Sequence, residues 1–339
     1  MSGYLRRILL FAILGMVSIF LLSPAFCDDD IDDPTANKVY VIDAENYRVL
    51  SAIAVGASPR GLAVDPKGAR VYVANYNDDS VSVINTSSNT VICTVAVGVN
   101  PLYVAIDPKG TFLYVTNYGS GDISVIDART YTVKTTVKVK VNPRGIAVNS
   151  KGSRVYIANY GSDSFSVIDT KTHAVIANVT VGDSPRGVAI NPSGSRIYVA
   201  NYNSNNVSVI DADTHAVVAT VKVGAGPHSI TVNPAGTRAY VTNYLTDNVT
   251  VIDMKTNTAI ATLPVGNCPY DISVNPARPC AYVANYLSDN ISVVNTNDHS
   301  AITTLRSGKG PYGIAVDPKG NRIYVTNAGR HMFRCKLAW

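Results

Sequence analysis

The sequence predicts an all-β fold, a seven-bladed β-propeller of four-stranded antiparallel blades, and two observations support it. A motif of Tyr, an apolar residue, a small residue and Asn occurs seven times at a spacing of 42 residues, from residues 72–75 to residues 324–327. Prolines repeat at the same spacing, from Pro59 to Pro311. Because a four-stranded unit of this size cannot bury both its faces alone, neighbouring units must cover it, as propeller blades do.

Each repeat contains four short segments that favour strands. In the unit at residues 185–226, the predicted strands are residues 187–190, 196–201, 207–210 and 216–223. The first two are joined by residues 191–194, Asn-Pro-Ser-Gly, which have the residue order of a type I turn. The first strand is rich in Gly and Ala, which suits the crowded centre of a ring.

The two ends of the repeat region predict how the ring closes. Residues 39–43 and 48–55 match a third and a fourth strand, and residues 313–316 and 322–327 match a first and a second. Together these N- and C-terminal strands complete the seventh blade and leave no open edge in the ring. The propeller is therefore predicted at residues 37–330, followed by a C-terminal tail at 331–339.

The N-terminus has the pattern of an export signal. Arg6 and Arg7 precede an apolar run at residues 8–22, and an acidic linker is predicted at residues 28–36. We expect residues 1–27 to be a cleaved signal peptide; a retained membrane anchor and lipidation at Cys27 are the alternatives. The predicted location is secreted or at the cell surface or envelope, with membrane contact only if the signal is retained.

Charge and side-chain chemistry point away from several functions. The formal charge of +5 falls to +3 without Arg6 and Arg7, which makes nucleic acid an unlikely partner. Neither a metal-ligand spacing nor a nucleophile–base–acid set is evident, so no metal, no cofactor and no enzymatic activity are predicted. Three histidines and three cysteines of the repeat region fall on different blades or in dissimilar positions: His173, His215, His299, Cys93, Cys268 and Cys280.

The residue after each periodic proline varies, although the frame around it is fixed. It begins the innermost strand and should line the mouth of the central channel. A small anionic ligand could bind there, because Arg pairs with carboxylates through two hydrogen bonds; the alternative is a hydrated polar rim. In chain order the series is Arg60, Leu102, Arg144, Arg186, His228, Tyr270 and Tyr312.

Two further sets of polar residues follow the repeat. The motif asparagines, as in Asn75, are expected to bond local backbone and to have a structural role. Five other asparagines begin Asn-x-Ser/Thr sequons and are glycosylation candidates, or else turn residues: Asn85, Asn178, Asn206, Asn248 and Asn290.

The repeated Tyr-Val-Thr-Asn, with Ser-Val-Ile-Asp and Asn-Pro-x-Gly, resembles the YVTN-type β-propeller repeat family of archaeal surface-layer and cell-surface proteins. The resemblance implies an exported, non-enzymatic module for binding, adhesion or association with a surface layer, with a protein or glycan partner. The alternative is a small-molecule-binding or enzymatic propeller that uses the channel mouth. A third possibility is a nucleic-acid-binding propeller of the periplasmic type.

Overall fold

The computed structural model describes residues 35–329, which form seven four-stranded antiparallel sheets. The predicted signal peptide, nearly all of the acidic linker and the C-terminal tail lie outside these residues. Within them, no helix is long and apolar enough to cross a bilayer. The all-β, seven-bladed propeller is confirmed.

Blades 1–6 each take four consecutive strands, ordered from the channel outward. Blade 1 contains β3 (Pro59–Val64), β4 (Arg70–Asn75), β5 (Ser80–Asn85) and β6 (Thr90–Ala96). Blades 2 and 3 contain β7 (Pro101–Ile106), β8 (Phe112–Asn117), β9 (Asp122–Asp127), β10 (Thr132–Lys138), β11 (Pro143–Val148), β12 (Arg154–Asn159), β13 (Ser164–Asp169) and β14 (Ala174–Thr180). Blades 4 and 5 contain β15 (Pro185–Ile190), β16 (Arg196–Asn201), β17 (Asn206–Asp211), β18 (Val217–Lys222), β19 (Pro227–Val232), β20 (Arg238–Asn243), β21 (Asn248–Asp253) and β22 (Thr258–Pro264). Blade 6 contains β23 (Pro269–Val274), β24 (Cys280–Asn285), β25 (Asn290–Asn295) and β26 (Ala301–Arg306).

Blade 7 joins the two ends of the propeller. Its order from the channel outward is β27 (Pro311–Val316), β28 (Arg322–Asn327), β1 (Lys38–Asp43) and β2 (Val49–Ala54). The pairing of β1 with β28 is in register from Lys38 opposite Asn327 to Asp43 opposite Arg322. The predicted closure is confirmed, and a ladder of backbone hydrogen bonds joins the first and last strands of the propeller.

The core lies between neighbouring blades. At the junction of blades 7 and 1, Val39 and Val41 of β1 pack against Val71 and Val73 of β4, and all four are fully buried. The two middle strands of each blade are largely buried on both faces because a blade covers each side, as in β4 and β5. The outer strands instead alternate between exposed and partly buried residues, as in β14.

The inner strands crowd together around the channel. A Cβ on Gly145 would overlap the carbonyl oxygen of Arg186 on the next inner strand, and one on Gly187 would lie 2.9 Å from the carbonyl oxygen of His228. The glycines therefore allow the inner strands to approach closely, as the Gly- and Ala-rich segments predicted.

The expectation that the motif asparagines bond local backbone is wrong in six blades. Asn75 Nδ2 donates to Ser80 Oγ at 3.0 Å and to Ser82 Oγ at 2.9 Å, both on the third strand. The motif asparagines of blades 2–6, from Asn117 to Asn285, donate in the same way to side chains five and seven residues further along the chain. In blade 7 the equivalent third-strand residues are Lys38 and Tyr40, and the Asn327 amide donates to the Val325 carbonyl at 3.5 Å.

Val41→Ala tests the importance of ring closure for stability. Val41 is fully buried on β1, so truncation should lower the free energy of unfolding by about 2 kcal/mol through lost burial and a residual cavity. Val49→Ala, on the neighbouring β2 and 51% exposed, should cost less than about 0.5 kcal/mol. Urea unfolding measures both changes, and equal losses would contradict the burial argument.

Candidate functional site

The residues after the periodic prolines converge on one cavity at the channel mouth. Its volume is about 380 Å³, and it opens on the rim where the second strands end. His228 is 1% exposed and contacts Arg144, a lining residue. The lining combines ring-position residues with the tyrosines that follow the motif asparagines: Arg60, Leu102, Arg144, Arg186, Tyr270, Tyr312, Tyr76, Tyr118, Tyr160, Tyr202 and Tyr244.

The guanidinium groups are held against tyrosine rings. The Arg186 Cζ atom lies 3.4 Å from the centre of the Tyr202 ring and 5.3 Å from that of Tyr160. Arg144 lies 5.6 Å from the Tyr160 ring centre, so Tyr160 sits between two cations. Attraction between a cation and the face of an aromatic ring stabilises these positions and fixes the guanidinium planes.

Arg60 is held in the same way across a blade junction. Its Cζ atom lies 5.3 Å from the centre of the Tyr76 ring in its own blade and 4.5 Å from that of Tyr312 in blade 7. Three fixed cations thus face one cavity, from blades 1, 3 and 4.

No carboxylate of the described residues pairs with the three arginines. None of the ion pairs found within residues 35–329 includes Arg60, Arg144 or Arg186. Their Nε–H groups are enclosed by the protein and have no hydrogen-bond partner. Burial lowers the pKa of Arg186, and the nearby charge of Arg144 lowers it further. An anion entering the cavity would relieve this concentration of positive charge.

Acidic residues on the same rim, such as Asp79 and Asp163, bind backbone N–H groups rather than the arginines of the mouth. Asp79 Oδ1 accepts a hydrogen bond from Asn100 N at 2.7 Å, and Asp163 Oδ1 accepts one from Ser184 N at 2.8 Å. These carboxylates bind the backbone of the connections between blades and do not line the cavity.

His228 is held as a neutral imidazole with a defined proton position. Its Nδ1 lies 2.8 Å from the Tyr270 carbonyl oxygen, which can only accept, so Nδ1 carries the proton. Its Nε2 then accepts from Arg144 Nη2 at 3.3 Å. Burial, followed by the charges of Arg186 and Arg144, holds the pKa of His228 well below its usual range.

The wall formed by blades 5–7 is aromatic. The Tyr270 ring centre lies 4.2 Å from those of both His228 and Tyr312, and 5.3 Å from that of Tyr244 in an edge-to-face arrangement. The tyrosines that line the mouth come from all seven blades, and the arginines come from blades 1, 3 and 4.

Sequence reasoning missed Asp271, which lies next to the mouth. One oxygen of its carboxylate accepts from Ser229 Oγ at 2.6 Å and the other from Ile314 N at 3.1 Å, linking the inner strands of blades 5, 6 and 7. Burial raises the pKa of Asp271. The sequence does mark this position, because the second residue after the periodic proline is Gly in four blades but Asp in blade 6.

The other candidate residues lie away from the mouth. His173, His215 and His299 occupy turns with positive φ on separate blades, and they are partly buried rather than exposed. Cys93, Cys268 and Cys280 are free thiols, and residues 35–329 contain no grouping of His, Cys, Asp or Glu that could hold a metal.

The sequon asparagines are spread over the surface, and their glycosylation stays a prediction. Asn206, Asn248 and Asn290 accept hydrogen bonds from motif asparagines at the mouth-side rim. Asn178 lies exposed on an outer strand, and Asn85 ends β5 at the opposite rim.

Comparison with known proteins identifies one family and a large number of similar solved structures. The model of the family described as "Lactonase, 7-bladed beta-propeller" matches residues 53–145, 128–218 and 212–328. Hydrazine synthase from Kuenenia stuttgartiensis is similar with a TM-score of 0.75 and 22% identity, over 81% of this chain and 94% of that chain. At this identity the likeness shows the fold alone. A search of curated proteins gave no match.

These findings change two expectations from the sequence. The family match supports the β-propeller class that the resemblance implied, but it is to lactonases rather than to surface-layer proteins. It also contradicts the prediction of a protein without enzymatic activity. That prediction rested on the lack of a metal-ligand spacing and of a nucleophile–base–acid set in the sequence.

The depressed pKa of His228 predicts a pH dependence of stability. An unfolded histidine gains its proton near pH 6.5 while folded His228 stays neutral, so falling pH below that value favours unfolding. Wild type should therefore lose more stability than His228→Gln between pH 8 and pH 5.5, measured by urea unfolding. The raised pKa of Asp271 acts in the opposite sense but is common to both proteins. Parallel pH profiles would contradict the assignment.

Proposed function

Because the chain belongs to the lactonase family of seven-bladed β-propellers, we propose that it hydrolyses a small lactone or ester that carries a carboxylate or phosphate group. The observation that supports this most directly is the set of three guanidinium groups around one cavity, none of which takes part in an ion pair within residues 35–329. Such groups bind anionic oxygens through charge-assisted hydrogen bonds, and the tyrosine rings already fix their orientation.

The contact between Arg144 and His228 suggests where the reaction takes place. His228 Nε2 accepts from Arg144 Nη2 and thereby positions the guanidinium beside the cavity. The oxygen of a water molecule forms a bond to the substrate carbonyl carbon while that water gives up a proton to solvent, and Arg144 stabilises the negative charge that develops on the carbonyl oxygen. The carbon–oxygen bond of the lactone then breaks, and solvent returns a proton to the departing alkoxide, which gives a hydroxy acid. Arg60 and Arg186 hold the anionic substituent.

Two variants test Arg144 and the residue that positions it. Arg144→Gln should lower kcat/KM for a carboxylated lactone by about 10- to 150-fold, the loss of one charge-assisted hydrogen bond. His228→Gln should lower kcat by a smaller factor, about 3- to 10-fold, with little change in KM, because it removes a hydrogen bond that positions Arg144 but keeps the charge. Ring opening can be followed by proton release in a pH-stat.

Arg129→Gln is the matched control, because Arg129 is exposed on the turn at the opposite rim. It should leave both constants unchanged. Equal turnover of charged and uncharged lactones by wild type, or full activity of Arg144→Gln, would overturn the proposal.

We also propose that residues 1–27 direct export and that the protein acts in the cell envelope or outside the cell, as the surface-protein resemblance implies. Intact-mass measurement on the secreted protein should give a chain that begins at or just after residue 28. Recovery of the full-length chain in the cytosol would contradict export, and full-length chain in the membrane fraction would indicate a retained anchor.

A further inference from the structure

The rim opposite the mouth carries an uneven distribution of charge. On this rim a turn joins the first and second strands of each blade, and in four consecutive blades the third residue of that turn is an exposed lysine. The equivalent residue in blades 4–6 is serine or alanine. No ion pair found within residues 35–329 includes these four lysines. In order around the ring they are Lys319, Lys67, Lys109 and Lys151.

The turns of blades 7 and 1 enclose a second cavity, which we call the rear cleft. Its volume is about 320 Å³, and none of its lining residues lines the mouth. Two of the four lysines, Lys67 and Lys319, line the rear cleft together with Arg322, which begins β28. Among the described residues, one carboxylate also lines it, that of Asp317.

Arg322 is turned towards the rear cleft, unlike its equivalents in other blades. The arginines that begin the second strands of blades 3–5 each form an ion pair with the aspartate that ends the third strand, as Arg238 does with Asp253 at 2.7 Å. Arg322 lies opposite such an aspartate, Asp43, in the strand register, but no ion pair found within residues 35–329 includes Arg322. Its Nη1 donates instead to the Thr86 carbonyl oxygen of blade 1 at 2.6 Å.

A difference at one repeat position accounts for the space beside Arg322. At the junction of blades 1 and 2, the hydroxyl of Tyr131 accepts a hydrogen bond from Arg70 Nε at 3.1 Å. The residue one repeat earlier, in the blade that follows Arg322, is Asn89. Its side chain is shorter than that of tyrosine, so the junction of blades 7 and 1 keeps an opening that the next junction fills.

The charge of the rear cleft favours a doubly charged anion. The Asp317 carboxylate is engaged within its own turn, because its Oδ1 accepts from Asn321 N at 2.6 Å and from Arg322 N at 3.0 Å. Lys67, Lys319 and Arg322 therefore leave an excess of positive charge. A phosphate monoester carries about two negative charges at neutral pH and has three acceptor oxygens, so it can bind ammonium and guanidinium groups together.

We infer that the rear cleft is a second anion site, which binds inorganic phosphate or the phosphate group of a small monoester. Lys319 and Arg322 belong to blade 7 and Lys67 to blade 1, so the ligand bridges two blades. A phosphate fills only part of the volume, which leaves room for an ester substituent. This site is independent of the reaction proposed at the mouth.

Acetylation of lysines in the full chain, followed by mass spectrometry, tests the site residue by residue. With inorganic phosphate at about ten times its dissociation constant, acetylation of Lys67 and Lys319 should slow about tenfold, because only the unoccupied protein reacts. Lys109 and Lys151 occupy the same turn position outside the rear cleft and should react at an unchanged rate. Sodium acetate at the same ionic strength is the control and should protect none of the four.

Substitutions locate the site. Lys67→Gln should raise the dissociation constant, measured by protection of Lys319, about 2- to 5-fold, as expected for the loss of an exposed charge pair. Lys109→Gln, on the same turn of the next blade, is the matched control and should not change it. Arg322→Gln should raise it about 10-fold or more, because this half-buried guanidinium binds through charge-assisted hydrogen bonds.

Methyl phosphate distinguishes the two sources of the phosphate group. Protection equal to or stronger than that by inorganic phosphate would identify a monoester as the ligand, and weaker protection would identify free phosphate. Equal slowing at all four lysines, no protection of Lys67 and Lys319, or an unchanged dissociation constant in Arg322→Gln would overturn the inference. Arg144→Gln alters the mouth and should leave the protection intact, so the two proposals fail separately.

Discussion

The close packing of seven inner strands around a narrow axis is the constraint on which the site depends. Gly145 and Gly187 let neighbouring inner strands approach until a side chain would strike the adjacent carbonyl oxygen. This approach holds the start of every inner strand at one rim, so the residue after each proline faces a common space. The same closeness allows Asp271 to bond strands of three blades.

The mouth concentrates positive charge where a folded protein rarely tolerates it. Arg60 is buried, Arg144 and Arg186 are half-buried, and none of them forms an ion pair within residues 35–329. This arrangement opposes folding, because a charge loses hydration as it is buried. Stacking on tyrosine rings offsets part of this cost, and it also prevents the guanidinium groups from turning towards solvent. The site is thus organised before a ligand arrives, and an anion can bind without the entropy loss of ordering long side chains.

Much of the architecture follows from the sequence, because a period of 42 residues fixes the blade count, the strand order and the shared last blade. The convergence of Arg60, Arg144 and Arg186 also follows, since equal repeat offsets become equal positions around a ring. The hydrogen-bond partners of individual side chains do not follow from the sequence, because they depend on the direction in which each side chain points. Asn75 donates to two serines on the third strand. Asp163 accepts from a backbone N–H group in the connection to the next blade. The proton position on His228 depends on the Tyr270 carbonyl, one blade away.

The junction of blades 7 and 1 links the ends of the propeller to the cavity. Thr326 Oγ1 donates to the Arg60 carbonyl at 2.7 Å across it, and the Arg60 guanidinium stacks on Tyr312 from the other side. A molecule that bound both residues would bridge strands from the two ends of the propeller, which are joined through the pairing of β1 with β28. Ligand binding would then make the propeller harder to open by force or by proteolysis, because a ligand stabilises the state that binds it.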